Sequence, residues 1–427
     1  MAQPRLALGL DLGTSGLRLA AVTPEGQVVA EQAGSYPAPF EQPEGWREAL
    51  ISLCRRLPDA VRRQADALAI AGTSGTLLLC RPDGSLAEGW GRGVNLAEAL
   101  PYHRACPEQG PAAAAIALQG PASRASGSLA RGLRLLQAAA DAQLSGPWLL
   151  RHQADWLMGW LLGDWRWGEE GNNLRLGWDL QSRTWAGRIG RQPWSGALPQ
   201  IRGSGEVLGA LCATAVATLD LPRHCLVVAG STDANAAVLA AAPGDQDGVC
   251  VLGTTLVLKQ WCPRAIQAPG VSCHRVAGRW LVGGASNAGG GVLRRFFSDD
   301  QLTELSRQID PSRHSGQSLL PLACRGERFP VDDPDLEPVL EPRPVSDALF
   351  LQGLLEGLAE IERAGWERLL ELGAPPVQRV ISLGGGARNP QWRAIRERLL
   401  QRPVLNRPRL SAAQGMARLA ATALSAR

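Results

Sequence analysis

Residues 6–22 read LALGLDLGTSGLRLAAV, and residues 248–261 read GVCVLGTTLVLKQW. Each is a pair of apolar arms around a cluster of glycine and hydroxyl residues, the pattern of a hairpin closed by a tight turn. The tetrapeptide GTSG returns at 72–75, inside ALAIAGTSGTLLLC (67–80). There the spacing predicts a buried strand (ALAIAG) with TLLLC as its continuation. A chain whose two halves open on the same strand–turn–strand, each followed by more strands and helices, is expected to fold as a duplicated α/β unit. Ligands of open α/β sheets gather beyond the carboxyl ends of the strands, and the glycine turns all fall at such ends.

The rest of the chain fits this frame. A third strand is predicted up to about residue 36, after the PEG turn at 24–26, and then a helix over about 46–64. Residues 112–162 read as helical, with breaks at 120–121 and 146–147. CLVVAG (225–230) is an apolar strand running straight into STDANAAVLAAA, and GRWLVGGA (278–285) is another strand. The Pro- and acid-rich segment 321–346 reads as a surface excursion. An amphipathic helix over 348–372 ends at Gly373 and Pro375. Strand RVISLGGG, a helix from Pro390 to about 401, strand PVLN and a helix over 411–425 complete the pattern.

Composition removes several classes. The 44 basic and 40 acidic residues nearly balance and are scattered, so the concentrated basic face of a nucleic-acid binder is not expected. Lys259 is the only lysine and lies outside any G-x-x-x-x-G-K-[ST] context, which excludes a Walker A loop. Nine cysteines, none in a CxxC pair, suggest reduced thiols and a cytoplasmic protein. No apolar run approaches the ~18 residues needed to span a bilayer, so no membrane partner is expected. Eight of the fourteen tryptophans fall between 148 and 194, which suggests a Trp-rich helical core.

The turns themselves carry chemistry. In DLGTSG, Gly13 and Gly16 are expected to give tight, positive-φ backbone whose amides form an anion-binding concavity, with Thr14 and Ser15 adding hydroxyl donors. Asp11 stands beside it, and a carboxylate next to a phosphate nest calls for a divalent cation, usually Mg²⁺. The second GTSG is preceded by Ala71, not an acid. Thr254 and Thr255, in the variant turn, would suit a second phosphate contact. Asp233 stands at a strand-to-helix junction. There it either caps the helix or accepts a proton from a substrate hydroxyl. In ISLGGGARNPQWRAI, Asn389 reads as an N-cap and Pro390 as the first helical residue. The three glycines 384–386, Gly385 and Gly386 among them, either make a tight turn or leave a flat surface for an adenine ring.

In order, LGLDLGTSGLRLAAV, AGSTDANAAV, VLGTTLVLKQW and SLGGGARNPQWRAIRERLLQRPV resemble the FGGY carbohydrate kinases of the actin/hexokinase/Hsp70-like superfamily. GTSGTLLLC, QADWL, LVGGASNAGG and RGERFP look most like the short cyanobacterial and plant subgroup described as D-ribulose kinases. The resemblance implies an α/β fold of two ribonuclease-H-like domains with a ligand cleft between them. One would be 1–240, joined by a C-terminal helix at 411–427, and the other 241–410. It further implies ATP and Mg²⁺ as cofactors and phosphorylation of a small-molecule sugar, a five-carbon ketose. D-xylulose or a polyol is the alternative substrate. A sugar- and nucleotide-responsive binding protein is the alternative of another class. Asp11 would meet sugar and metal-bound phosphate, Ser74 the sugar, and Asp233 would be the catalytic base and, with Asp11, a metal ligand. Thr254 and Thr255 would contact nucleotide phosphates. Gly385, Asn389 and Trp392 would form the adenosine site, with Asn287 nearby on the nucleotide side. The W-x-D-x-R segment that many of these kinases carry has no counterpart in GWGRGVNLAEALPYHRACP (89–107).

Overall fold

The computed structural model describes residues 5–425. The extremes of the expected N-terminal domain and C-terminal helix, residues 1–4 and 426–427, lie outside the described residues. The chain divides into two units. The first comprises the residues up to Ala240, the short stretch Arg275–Gly278 and the C-terminal segment from Ser411. The second comprises Ala241–His274 and Arg279–Leu410.

In the first unit β1 (Leu6–Leu12), β2 (Leu17–Val22) and β3 (Val28–Gly34) form an antiparallel meander, followed by helix α1 (Pro43–Arg56). The helix is shorter than the predicted 46–64. It stops at Leu57, because Pro58 follows, and a separate turn of helix covers Asp59–Arg63. Strand β4 (Ala65–Gly72) pairs parallel to β1.

The segment read as a continuation of β4 is not part of that sheet. Leu77–Cys80, β5, turns away at the second GTSG and pairs instead with Leu149–His152. Helix α2 (Ser128–Asp141) precedes that partner strand, β6 (Leu149–His152), and helix α3 (Gln153–Leu162) follows it directly. Residues 112–162 are therefore not helical throughout. LLRH (149–152), shortly after Pro147, is a four-residue strand, too short to be told from a helix by periodicity. Strand β7 (Leu226–Thr232) pairs parallel to β4 and enters helix α4 (Asp233–Ala241) without a loop. From β3 the sheet runs β3-β2-β1-β4-β7, with Val207–Ala210 as an antiparallel edge.

The two faces of β1 differ in bulk, and this decides what covers them. Leu6, Leu8, Leu10 and Leu12 face a core with Trp46, Leu50 and Leu53 of α1 and Trp156, Leu157 and Leu161 of α3. The opposite face carries Ala7 on β1 and Ala67, Ala69 and Ala71 on β4, against Met416, Ala417 and Ala420 of the C-terminal helix Ala412–Ser425. Gly9 permits the contact: a β-carbon there would lie 2.0 Å from the Ala417 nitrogen. Of the eight tryptophans between 148 and 194, Trp156 and Trp160 are buried on α3. Trp178 and Trp185 instead meet edge-on in a small hairpin, 5.4 Å apart, so the cluster is not one helical core.

The second unit repeats the strand order. Strands β8 (Asp247–Leu252), β9 (Leu256–Cys262) and β10 (Arg279–Ala285) are antiparallel neighbours. After the 25-residue helix α5 (Asp347–Glu371), β11 (Arg379–Leu383) adds parallel to β8. Helix α6 (Pro390–Leu400) and the parallel strand β12 (Val404–Asn406) follow. The order β10-β9-β8-β11-β12 matches β3-β2-β1-β4-β7 in sequence and direction. A buried ion pair ties α6 to α5: Arg396 donates to both Glu362 oxygens at 2.6 and 2.8 Å and to Ser382 Oγ at 2.6 Å. The segment 321–346 is more than a surface excursion. Phe329 is 1% exposed and fills the space left by Gly284 and Gly365, and Glu327 is buried under the strand-end segment 286–287.

Candidate active site

Parallel pairing sets the first half of the site. Asp11 is in register with Ala71 on β4, and Ala71 with Ser231 on β7. The carboxyl ends of three adjacent strands thus lie level, with Asp233 two residues beyond Ser231. The structure brings Asp11, Gly13–Gly16, Ser74 and Asp233 to this one end of the first sheet.

Asp11 is largely buried, and its Oδ1 has no hydrogen-bond donor among the described residues. Burial and the charge of Asp233, with a smaller push from Glu31, raise its carboxyl to about 6 against the opposing charge of Arg18. The Asp233 carboxyl is also raised by burial, while the Ala234 N–H and the Arg175 guanidinium hold it down. One Asp233 oxygen accepts the Ala234 N–H at 2.7 Å, and Thr232 Oγ1 takes the Asn235 N–H at 3.4 Å. Two carboxylates pushed upward together, one with an orphan oxygen, fit a divalent cation. Mg²⁺ is commonly held by one or two protein carboxylates, with phosphate and water completing its shell. Among the described residues no three His, Cys, Asp or Glu side chains gather as a metal set, so any such ion needs those outside ligands.

The first turn differs from expectation in why it is glycine-rich. Neither Gly13 nor Gly16 lies in the left-handed region. Gly16 is required by close approach, since a β-carbon there would stand 2.3 Å from the Gly34 carbonyl oxygen of β3. Thr14 and Ser15 are exposed, with Thr14 Oγ1 3.4 Å from the Tyr102 hydroxyl. Tyr36 braces the turn by donating to the Gly13 carbonyl at 2.8 Å. In the second GTSG it is Gly75 that adopts positive φ, +108°. That turn is folded around Gln153, the first residue of α3. Gln153 accepts from Thr73 N and Thr73 Oγ1, and its own N–H donates to the Thr76 carbonyl. Thr73 and Thr76 bond to each other at 2.7 Å, leaving Ser74 half-exposed at the tip.

Sequence reasoning missed Tyr36, Gln153, Tyr102 and Arg175. QADWL carries part of the subgroup resemblance, but nothing in it announces that its first letter holds a turn 80 residues earlier.

In the second unit the 253–255 turn ends β8. Thr254 is exposed and Thr255 half-buried. The turn is clasped by Gly290 and Gly291, whose N–H groups donate to the Gly253 and Thr254 carbonyls at 2.9 and 3.0 Å. Asn287 lies on the same strand-end segment and is tied down by two hydrogen bonds. Its N–H reaches Glu327 at 2.7 Å and its Nδ2 the Gly326 carbonyl at 2.8 Å. The turn after β11 has Gly384 at φ +83°, and an added β-carbon at Gly385 would meet nothing within 4 Å. Asn389 caps α6 through the Trp392 N–H at 3.0 Å and donates to Ser306 at 2.8 Å. Trp392 is 2% exposed and packs its ring against Gly386, where a β-carbon would come within 2.4 Å. Gly385 thus offers the open backbone surface, and Trp392 supports the turn from within the core.

Residues 248–424 match the FGGY family of carbohydrate kinases, C-terminal domain. Over 99% of the chain the fold superposes on solved xylulose and glycerol kinases. A xyloylose kinase from Brucella ovis has TM-score 0.80 and 22% identity, with 91% of that protein covered. A xylulose kinase from Rhodospirillum rubrum has TM-score 0.77 and 22% identity, with 90% covered. A Plasmodium falciparum glycerol kinase with ADP has TM-score 0.77 and 15% identity, with 90% covered. The fold is therefore that of two ribonuclease-H-like α/β domains, as in this group.

Proposed function

We propose that this chain, an FGGY carbohydrate kinase, transfers the γ-phosphoryl group of ATP to a terminal hydroxyl of a five-carbon ketose, D-ribulose in the first instance, as a cytoplasmic enzyme. The observation carrying the reading is the pair Asp11 and Asp233, two carboxylates at the level carboxyl ends of neighbouring strands, beside a braced glycine–hydroxyl turn.

Asp233 is the general base that takes the hydroxyl proton as the oxygen attacks phosphorus. Burial raises its carboxyl above the ordinary carboxylate range, which strengthens it as a base. Asp11 accepts a sugar hydroxyl through its orphan oxygen, and Ser74 fixes the sugar from the second turn. Asp11 and Asp233 would hold Mg²⁺, which when bound offsets charge on the phosphates. Thr14 and Ser15, and Thr254 and Thr255, donate to phosphate oxygens. The open backbone at Gly385 receives adenine, and Asn389 fixes the turn beside it. ADP in the Plasmodium falciparum glycerol kinase supports an adenine nucleotide as donor.

The test is ADP release with Mg-ATP across ketoses and polyols, with a sugar-free control. Sugar-dependent release that is fastest with D-ribulose is expected. The xylulose kinases sharing this fold favour D-xylulose as the second candidate, and the same panel separates the two. Binding of sugar and nucleotide with no ADP release would overturn the kinase reading.

A further inference from the structure

Arg175 follows a short helical turn, Glu170–Asn173, that is docked onto the end of β7: Asn172 Nδ2 reaches the Ser231 carbonyl at 3.4 Å, two residues before Asp233. Its aliphatic stem lies against the second GTSG turn, with Cδ 3.4 Å from where a Gly75 β-carbon would stand. The side chain is half-buried. Its one hydrogen bond is Nη1 to the Ser126 carbonyl at 3.3 Å, and it makes no ion pair among the described residues. Neighbouring Arg131, by contrast, is fully buried and spends its donors on the carbonyls of Pro101, Tyr102, Arg104 and Ser126. Arg131 is structural, whereas Arg175, its stem against the second GTSG turn, has most of its five N–H donors unspent. The mutual charge effect of Arg175 and Asp233 places the guanidinium within electrostatic reach of the base, and burial together with Arg124 weakens its hold on its proton.

The other polar groups at this end of the sheet accept, as the two carboxylates do, or both give and accept, as Ser74 does. Two arginines here only donate: Arg18 is exposed on β2 opposite Asp11, whereas Arg175 is half-buried beside the second turn. An open-chain ketose has one oxygen that only accepts, its carbonyl. We propose that Arg175 is a specificity-determining residue that touches substrate, its guanidinium donating to the ketose carbonyl oxygen. The inference rests on the ketose-kinase reading and deepens it: the substrate class is selected by a carbonyl as well as by hydroxyls. A site built to satisfy a particular polar group discriminates strongly against analogues that lack it.

The test compares D-ribulose with ribitol, which replaces the carbonyl by a hydroxyl, in the wild type, Arg175→Met and Arg175→Lys. Arg175→Met is expected to raise the ketose KM at least tenfold, leave the ATP KM within twofold, and shrink the preference for ketose over alditol by a similar factor. A ketose KM within threefold of wild type, or equal losses on ketose and alditol, overturns the proposal. If Arg175→Met fails to fold, Arg175→Lys decides. Its point-like donor should raise the ketose KM threefold or more without changing the alditol's, and equal changes or none overturn the proposal. Should the wild type phosphorylate no ketose, the kinase reading fails by itself. Calorimetric ketose binding to the same variants then judges Arg175.

Discussion

Gln153 Oε1 accepts two hydrogen bonds from Thr73, one from its backbone N–H at 3.1 Å and one from its hydroxyl at 2.8 Å. All of these groups are buried, so the first residue of α3 sets the shape of a turn whose own sequence is only glycine and hydroxyls. Truncation leaves the Thr73 N–H without its acceptor, and a buried orphan of this kind costs about 1–3 kcal/mol. Gln153→Ala should therefore lower unfolding stability in urea by about that amount. It should also raise the sugar KM through Ser74 while the ATP KM holds.

Asp233→Asn removes the proposed proton acceptor but keeps size and the helix start. General-base catalysis contributes ~10²–10⁴-fold, so kcat should fall by that factor, about 3–5 kcal/mol of barrier. Steady-state kinetics at saturating ketose check this, and turnover near that of wild type would remove Asp233 from the base role.

Asp11 links function to stability through pH. Its folded-state carboxyl, raised to about 6, lies above that of the unfolded chain. Its contribution is therefore fully present below about pH 4 and is lost as pH rises through 6. Asp11→Asn should make the cation-free protein more stable at pH 7.5, by about 1–3 kcal/mol, with no gain near pH 4. It should also abolish turnover. Denaturant titrations at the two pH values measure the difference. In the wild type, turnover should decline as pH falls through about 6 if Asp11 acts ionised, as proposed.

The two GTSG turns need glycine for different reasons, and substitution should separate them. Gly75→Ala meets no atom closer than 3.4 Å, so only its φ of +108° opposes the change, at a cost of about 1–3 kcal/mol. Gly16→Ala drives a β-carbon into the Gly34 carbonyl, and backbone must move. Gly16→Ala should be the more damaging of the pair, by thermal unfolding and by soluble yield.

The hairpins, the level strand ends and the positions of Asp11, Ser74 and Asp233 were legible because apolar alternation and small-residue turns are local signals. The pairing of Leu77–Cys80 with Leu149–His152 was not, because four apolar residues look alike as helix or strand and a partner 70 residues away leaves no local mark. The same holds for Glu327 and Phe329, polar or apolar letters in a Pro-rich stretch that burial alone makes structural. It holds again for Gln153 and Arg175, whose roles arise from what the fold sets beside them. Gly13 and Gly16 show the opposite lesson. Glycine was read correctly as a turn marker, but what demands it at Gly16 is a neighbouring strand and not a dihedral angle.

The C-terminal helix covers the alanine face of the strands that carry Asp11 and Ala71, with Gly9 against Ala417 and Gly415 against the Ala236 carbonyl. A ribosome making this chain finishes the sheet of the first unit by Thr232 but does not reach Ser411 until the second unit has been made. At ~5–20 residues per second, that interval lasts roughly ten to thirty-five seconds. Throughout it the sheet has one uncovered apolar face, and β1, which carries Asp11, is packed on its leucine face alone. The order of synthesis thus leaves the alanine face open until the last helix docks, a window in which a chaperone or a neighbouring nascent chain can compete for it.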